Sequence, residues 1–266
     1  MADVYTQVTS VDRSVLESLT RVLEFRAADP QQVAMRASYQ SEIELHQGAV
    51  VLEVGCGTGP VSRALARLSA GCEVHGIDPS PYFLAEARRL SEGIANLHFQ
   101  LGDACHVPFG SSTIDVVVFH TTLCHVPALD EALSEAHRVL RPGGQLVVFD
   151  ADYASTTVAL AAADPLQACV AATVESIVHD PHLVPKLAPG IRSAGFAIRC
   201  FRSYGYHGVL DADYMLTIVD RGADALTNAG RIGSALATAL KDEARRRVEV
   251  GTFFGHLAYA SVIATR

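Results

Sequence analysis

The sequence predicts an α/β fold in which a doubly wound, mostly parallel sheet carries helices on both faces. From Ala49 to Asp150, short runs rich in valine, isoleucine and leucine alternate with segments whose apolar residues recur at helical spacing. Such alternation implies right-handed crossovers and parallel strands. Glycine, aspartate or histidine follows four of these strand-like runs. Polar residues therefore gather at the carboxyl edge of the sheet, where ligands bind in such folds.

Seven strands are predicted from short apolar or alternating runs that are rich in β-branched residues. They cover residues 50–54, 73–77, 98–101, 114–119, 145–150, 197–204 and 256–264. Helices are predicted where apolar residues recur at a period of about 3.6, and Asp29-Pro30 and Ser80-Pro81 are start signals for two of them. The predicted helices cover residues 11–27, 30–47, 60–70, 81–90, 128–140, 153–180 and 183–194, with two or more between 211 and 248.

The order of these segments predicts one domain over residues 1–266, since no repeat or low-complexity linker divides the chain. Residues 1–48 precede the first strand and are predicted to form an N-terminal helical cap. Residues 49–150 form the binding core. Residues 151–266 complete the sheet and add late helices, which we expect to cover the substrate side.

Composition excludes several classes of function. The 266 residues carry a formal net charge of −8, with 49% hydrophobic and 19% charged residues, so a nucleic-acid partner is not expected. The six cysteines form no CxxC pair, and no histidine or carboxylate cluster has metal-ligand spacing. No leader-like segment and no apolar run of about 20 residues is present. We therefore expect a cytoplasmic protein without a membrane partner or a metal; the oligomeric state stays open.

The most informative stretch is the turn after the first strand. Its glycines, Gly55, Gly57 and Gly59, alternate with other residues, and they let the backbone approach a ligand closely. A dinucleotide-binding turn has the spacing G-x-G-x-x-G, and here Pro60 stands where its third glycine belongs. Glu53 adds a negative charge that would repel a diphosphate and attract an ammonium group.

The stretch Glu53-x-Gly55-x-Gly57-x-Gly59 resembles the first motif of the class I S-adenosylmethionine-dependent methyltransferases, and the resemblance covers about residues 32–150. Four further elements match in order: Asp78 ending the second strand, Gly102-Asp103-Ala104, His120-Thr121-Thr122, and Leu140-Arg141-Pro142-Gly143-Gly144. The resemblance implies a Rossmann-like sheet of seven strands with an antiparallel last strand. It also implies S-adenosyl-L-methionine as cofactor.

The resemblance further implies a role for each matching residue. The backbone from Gly55 to Gly59, including Cys56, would contact the amino-acid part of the cofactor, with Glu53 near its ammonium group. Asp78 would accept hydrogen bonds from the ribose hydroxyls and Asp103 from the adenine amino group. The remaining predicted contacts are Pro79, Ser80, Gly102, Ala104 and Cys105 around the adenine, His120 and Thr121 near the ammonium group, and Arg36 as counter-ion of the carboxylate.

Methyl transfer needs alignment of the reactants, and a histidine can serve as general base when the acceptor is a hydroxyl or ammonium group. His125 and His120 are the catalytic candidates after the fourth strand. Further candidates for the acceptor side are His179, His182, His207, Tyr5, Tyr39, Tyr153 and Tyr206. The fourth strand is not followed by the Asn/Asp-Pro-Pro-Tyr/Phe element of amino-group methyltransferases. We therefore expect a small organic acceptor, with oxygen favoured over nitrogen or carbon, and natural-product biosynthesis as the setting.

Two other functions stay open. The protein could keep the cofactor without transferring its methyl group, and act as a binding protein or as a catalyst of a rearrangement. It could also be an NAD-dependent oxidoreductase, which the glycine spacing disfavours.

Overall fold

A sheet of seven strands forms the centre of the molecule in the computed structural model, which describes residues 3–68, 71–209 and 211–266. The strands are β1 Val50–Val54, β2 Glu73–Asp78, β3 Leu97–Leu101, β4 Ile114–His120, β5 Leu140–Thr157, β6 Ala197–His207 and β7 His256–Thr265. Their spatial order is β3-β2-β1-β4-β5-β7-β6, and β7 runs antiparallel to both its neighbours. The predicted fold class is thereby confirmed.

The central strands are buried on both faces, which explains their continuous apolar sequence. Val51, Leu52 and residues 116–119 are at most 1% exposed. The register pairs Val54 of β1 with Phe119 of β4, so the two strands end side by side. As a consequence, the glycine turn after β1 lies directly beside the residues that follow β4.

Helices cover both faces of the sheet and its carboxyl edge. The N-terminal helix α1 packs against α2, α3 and α4, and α6 packs against β5 and α8. A 3₁₀ helix at Leu123–His125 follows β4. The α-helices are α1 Arg13–Ala28, α2 Pro30–Gln40, α3 Pro60–Leu68, α4 Pro81–Leu90, α5 Leu129–Val139, α6 Leu166–Ile177, α7 Leu183–Ser193, α8 Asp213–Asn228 and α9 Ser234–Glu249. Within the described ranges, none of the helices combines the length and apolarity that crossing a bilayer requires.

Two predicted segments are wrong in extent. The helix predicted over 30–47 ends at Gln40, because the following chain turns to meet the sheet, where Glu44 exchanges two hydrogen bonds with the side chain of Gln145. The helix predicted over 153–180 begins only at Leu166, since β5 continues to Thr157 and pairs with β7 up to His256. The turn predicted at residues 141–144 belongs to the same long strand.

The other predicted elements are confirmed with shifts of a few residues at their ends. The helix predicted over 60–70 begins at Pro60 and is described to Leu68; its last two residues lie outside the described ranges. Between 211 and 248 the predicted helices are α8 and α9.

Asp29 joins the N-terminal helices to the far end of the sheet. Its carboxylate caps α2 by accepting hydrogen bonds from the backbone N–H groups of Gln31 and Gln32, at 2.8 and 3.1 Å. It also accepts a hydrogen bond of 2.8 Å from the hydroxyl of Tyr206, which is fully buried. We expect Asp29→Ala to lower the free energy of unfolding by about 1 to 3 kcal/mol, because a cap is lost and a buried hydroxyl is stranded.

Denaturant unfolding measures this effect, and Asp12→Ala is the matched control. Asp12 holds the same N-cap position in α1, but its side chain makes no capping hydrogen bond. We expect a change within about 0.5 kcal/mol for the control. Equal losses in the two variants would contradict the role given to Asp29.

Candidate functional site

A cavity of about 530 Å³ lies at the carboxyl edge of the sheet. Its walls come from the loops after β1, β2, β3 and β4, from α1 and α2, and from the N-terminal segment (residues 3–10). This volume falls within the range of small-molecule sites, about 300–1,000 Å³. Most residues predicted for the site are brought together here. Those that line the cavity are Arg36, Glu53, Gly55, Cys56, Gly57, Asp78, Pro79, Gly102, Asp103, Ala104, Cys105, His120, Thr121 and His125.

The glycine turn after β1 needs its glycines for two different reasons. Gly55 and Gly57 have φ angles of +73° and +52°, which L side chains rarely adopt. A Cβ on Gly55 would also lie 2.3 Å from Cγ2 of Thr122, so the side chain of Thr122 leaves no room for a side chain at Gly55. Gly59 also has a positive φ, of +80°, but it faces Phe99, to which a Cβ would come within 2.7 Å, and it does not line the cavity. A contact between Gly59 and a cofactor stays a prediction.

Two buried carboxyl groups form the floor of the cavity. Glu53 is 2% exposed and accepts a hydrogen bond from the hydroxyl of Ser62, and burial raises its pKa to about 8. Asp78 accepts hydrogen bonds from the backbone N–H groups of Gly57 and Ser80, at 2.8 and 2.9 Å, and burial raises its pKa to about 6. Burial disfavours the ionised form of both groups, and a bound cation or hydroxyl donor would favour that form again. The floor of the cavity is therefore suited to a ligand that carries such groups.

The loop after β3 forms a more open wall. The carboxylate of Asp103 is exposed and accepts a hydrogen bond of 2.7 Å from the backbone N–H of Cys105. Burial raises the pKa of the Cys105 thiol to about 11, so this side chain is a neutral neighbour. Ser80, predicted beside the adenine, caps α4 by accepting a hydrogen bond from the N–H of Phe83 and does not line the cavity. Its contact with the cofactor stays a prediction.

The backbone at the end of β4 is strained at Thr121, which has a φ of +51° although it is β-branched. Its N–H donates to the carbonyl of Phe149 at 2.6 Å, and its hydroxyl accepts a hydrogen bond of 2.7 Å from the guanidinium of Arg26. These bonds from β5 and α1 hold the unfavourable conformation. Strain of this kind concentrates at ligand sites.

His120 lines the cavity with a neutral ring. A hydrogen bond of 2.9 Å joins its Nδ1 to the hydroxyl of Tyr39, and the ring stacks on Phe149 at 4.7 Å. Burial, together with the positive charges of Arg26 and Arg36, lowers the pKa of His120 well below its usual value. The ring therefore belongs to the aromatic packing under the site, while its backbone carbonyl lies at the strand end.

His125 has the partner that a general base needs. Its Nδ1 lies 2.7 Å from a carboxylate oxygen of Asp3, which also accepts a hydrogen bond from the backbone N–H of His179. Since an ionised carboxylate can only accept, Nδ1 is the donor in this contact, and Nε2 of a neutral imidazole would keep its lone pair for a substrate proton. The ring of Tyr5 packs on the imidazole with centroids 4.5 Å apart.

Sequence reasoning missed Asp3 and Arg26. Asp3 is 122 residues from His125, and Arg26 is 95 residues from Thr121, so no local spacing links either pair. The one sequence signal was that both precede the first strand, in the predicted cap. The N-terminal segment contributes Tyr5, Thr6, Val8 and Thr9 to the cavity wall. Arg36 lines the cavity as predicted and donates a hydrogen bond to the carbonyl of Ala27.

The other acceptor-side candidates lie elsewhere. Tyr39 and Tyr206 are fully buried in the core, and His179, His182 and His207 do not line the cavity. In the part of the chain that the structure describes, no group of three histidine, cysteine or carboxylate side chains could hold a metal ion.

The chemistry of the cavity fits a zwitterionic nucleoside. Its floor carries two buried carboxyl groups that suit a cation and a diol, and its wall carries two guanidinium groups that suit a carboxylate. The glycine turn supplies a surface free of side chains between them. S-Adenosylmethionine has an ammonium, a sulfonium, a carboxylate and a ribose diol, which match these groups in kind.

Known proteins with similar sequences include methyltransferases, which agrees with a cavity suited to S-adenosylmethionine. Residues 52–148 match the family model of a methyltransferase domain. Over 116 residues the chain is 35% identical to a 2-phytyl-1,4-naphtoquinone methyltransferase of Thermosynechococcus vestitus, covering 43% of this chain and 52% of that protein. The first three curated relatives are matched over 46%, 28% and 53% of their own lengths, so the chain spans about half of them or less.

Solved structures share the fold across most of the chain. A putative methyltransferase from Bacillus halodurans superimposes with a TM-score of 0.62 at 20% identity, covering 87% of this chain and 97% of that one. The [4+2]-cyclase SpnF superimposes with a TM-score of 0.58 at 21% identity, covering 90% and 84%. Residues 52–148 therefore form a class I S-adenosylmethionine-dependent methyltransferase domain. The cofactor of this class is S-adenosylmethionine.

The close approach at Gly55 yields a prediction about stability. Gly55→Ala is expected to lower the free energy of unfolding by about 1 to 2 kcal/mol for the left-handed backbone and by about 1 to 3 kcal/mol more for the clash with Thr122. Gly48→Ala is the matched control, because Gly48 has a φ of +80° with nothing within 4 Å of the added Cβ. Denaturant unfolding compares the two. If both variants lose the same free energy of unfolding, the contact with Thr122 adds no cost to a side chain at position 55.

Proposed function

We propose that this protein transfers a methyl group from S-adenosylmethionine to the hydroxyl oxygen of a small organic acceptor. The observation that carries the proposal is that His125, paired with Asp3 behind it, lines the same cavity as the buried Glu53 and Asp78. The printed names of relatives support a small organic acceptor, since one acts on a sterol and another on a phytyl naphthoquinone. Natural-product biosynthesis is the setting we propose.

The cofactor, when bound, supplies an electrophilic methyl group on its sulfonium. We assign Glu53 and the backbone of Gly55–Gly59 to its amino-acid part, with the carbonyl of His120 as a further acceptor for the ammonium group. Asp78 would bind the ribose hydroxyls, since its two carboxylate oxygens suit a diol. Asp103 and the residues from Gly102 to Cys105 would hold the adenine. Arg36 would neutralise the carboxylate.

The acceptor hydroxyl gives its proton to Nε2 of His125 in this proposal. Asp3 holds the imidazole in the tautomer that can accept the proton, and its charge stabilises the imidazolium that forms. A positioned general base contributes roughly 10²- to 10⁴-fold in rate. His120 lacks a carboxylate partner among the described residues and serves instead through its backbone. The strained Thr121, held by Arg26, positions that backbone.

The rest of the chain is proposed to act with this core as a single methyltransferase domain. Residues 1–48 close the cavity from one side, as the cavity contacts of Tyr5, Val8 and Leu23 support. The late helices α6 and α8 stand on the acceptor side. All six cysteines are free thiols, which supports the cytoplasmic location predicted from the sequence.

A cofactor-retaining protein without methyl transfer is the second candidate. The observation that favours it is the likeness to a structure named as a [4+2]-cyclase. Incubation with methyl-labelled S-adenosylmethionine and a panel of hydroxylated and amino acceptors separates the two candidates. Label in a hydroxylated acceptor is the expected result; cofactor binding with no label transfer across the panel would favour the second candidate. Calorimetric binding of NAD, without binding of S-adenosylhomocysteine, would refute both.

Asp78→Ala is expected to weaken the binding of S-adenosylhomocysteine by about 1 to 3 kcal/mol, because ribose hydroxyls would lose their charged acceptor. Isothermal titration calorimetry measures the affinity, and circular dichroism checks the fold. Asp130→Ala is the control, since Asp130 is exposed at the start of α5 and does not line this cavity. An unchanged affinity in folded Asp78→Ala would remove Asp78 from the site.

His125→Ala and Asp3→Asn are expected to leave S-adenosylhomocysteine affinity nearly unchanged and to slow methyl transfer. We expect a loss of about 10²- to 10⁴-fold for His125→Ala, and a smaller loss for Asp3→Asn, which removes only the charge of the partner. Turnover on the acceptor that accumulates label is the measurement. His182→Ala controls for loss of a histidine outside the cavity. Full turnover in His125→Ala and Asp3→Asn would show that the reaction needs no general base at this position.

A further inference from the structure

A second, narrow cavity adjoins the main one. Its volume is about 20 Å³, enough for one water-sized group. It lies between α1, the carboxyl end of β5, and helices α6 and α8. Tyr5 and Arg26 line both cavities, so these two side chains belong to both walls.

The narrow cavity combines two cations with three phenols. Arg26 and Arg221 enter its wall from α1 and α8, together with Tyr5, Tyr153 and Tyr214. No carboxylate is among the described residues that line it. Burial raises the pKa values of Tyr5 and Tyr153, so these phenols are neutral hydrogen-bond donors there. The guanidinium groups and the phenols can therefore donate to an anion, whereas the three threonine hydroxyls in the wall donate to backbone carbonyls.

The two arginines lack the counter-ions that nearby arginines have. On the adjoining helix α9, Arg245 and Arg247 are each paired with an aspartate at 2.6 Å. Among the described residues, neither Arg26 nor Arg221 has a carboxylate within ion-pair distance, and the hydroxyl of Thr121 is the acceptor found for Arg26. Guanidinium groups in a partly buried cavity are stabilised when an anion joins them.

We propose that the narrow cavity binds a carboxylate of the methyl acceptor, with Arg26 and Arg221 as its counter-ions and the tyrosine hydroxyls as further donors. This inference rests on the proposed function and names the substrate class of the same site. A carboxylate is favoured over a phosphate because the space holds a water-sized group and a carboxylate is the smaller of the two anions. Arg36, which lines only the main cavity, stays available for the cofactor.

The position of Tyr5 links this carboxylate to the reacting group. The Tyr5 ring packs against His125 on one side and lines the narrow cavity on the other. An acceptor that places a hydroxyl at His125 and a carboxylate between the arginines must therefore span this side chain. A hydroxylated aromatic or short aliphatic acid has that form.

The test measures the binding of matched probes to the full chain loaded with S-adenosylhomocysteine. Calorimetry compares 3-hydroxybenzoate with its neutral analogue 3-hydroxybenzamide and with 3-hydroxyphenyl phosphate. We expect the benzoate to bind at least about tenfold more tightly than the amide, as charge-assisted hydrogen bonds warrant. We also expect it to bind more tightly than the phosphate. A phosphate that binds more tightly than the benzoate would overturn the carboxylate assignment.

Variants tie this preference to the two arginines. Arg221→Gln and Arg26→Gln are each expected to weaken benzoate binding by about tenfold or more, and Arg221→Gln is expected to leave amide binding unchanged. Arg26→Lys keeps the positive charge and is the control for misfolding of Arg26→Gln. It should retain part of the benzoate affinity. Arg192→Gln controls for net charge, because Arg192 is exposed on α7.

The outcomes separate this inference from the proposed function. Failure of the chain to bind S-adenosylhomocysteine would refute the proposed function itself. A loaded protein that does not bind the benzoate, or that binds it equally in Arg221→Gln, would overturn the carboxylate site alone. A loss of S-adenosylhomocysteine affinity in Arg26→Gln, with benzoate binding unchanged, would reassign Arg26 to the cofactor.

Discussion

The contact between Gly55 and Thr122 is the constraint on which the site depends. β1 and β4 end in register, so the turn after one strand and the loop after the other compete for the same space. Glycine at position 55 leaves room for the Thr122 side chain. The Thr122 hydroxyl donates a hydrogen bond to the carbonyl of Val54 at 3.2 Å. Because the Thr122 side chain packs directly on the backbone of Gly55, the residues that follow β1 and those that follow β4 form one wall of the cavity.

The N-terminal segment and the first helices are joined to the rest of the site by polar contacts. Asp3 contacts His125, Arg26 donates to Thr121, and Glu24 pairs with Arg63 at 2.7 Å. Each bond joins a residue before β1 to a residue after it. These contacts fix the cap on the sheet beside the cavity.

Local sequence was a reliable guide where local energetics decide structure, and a poor one where pairing across the sheet does. The helix α4 begins at Pro81 as predicted, because Ser80 caps it and proline suits the first helical position. The alanine-rich segment after Asp150 has high helical propensity, yet its first residues extend β5. Pairing with β7, whose residues follow about a hundred positions later, supplies hydrogen bonds that outweigh that propensity.

The sequence by itself determined the fold class, the glycine turn and the acidic residues at the ends of β1, β2 and β3, because each depends on local spacing or on the order of strands. Tertiary structure alone decided which of these residues share a wall, that Ser80 and Gly59 face away from the cavity, and that His125 rather than His120 has a carboxylate partner. It also brought Arg26 and Arg221 together. The physical reason is distance along the chain: pairs that lie a hundred or more residues apart meet only after the sheet and its cap have formed, and no periodicity records them.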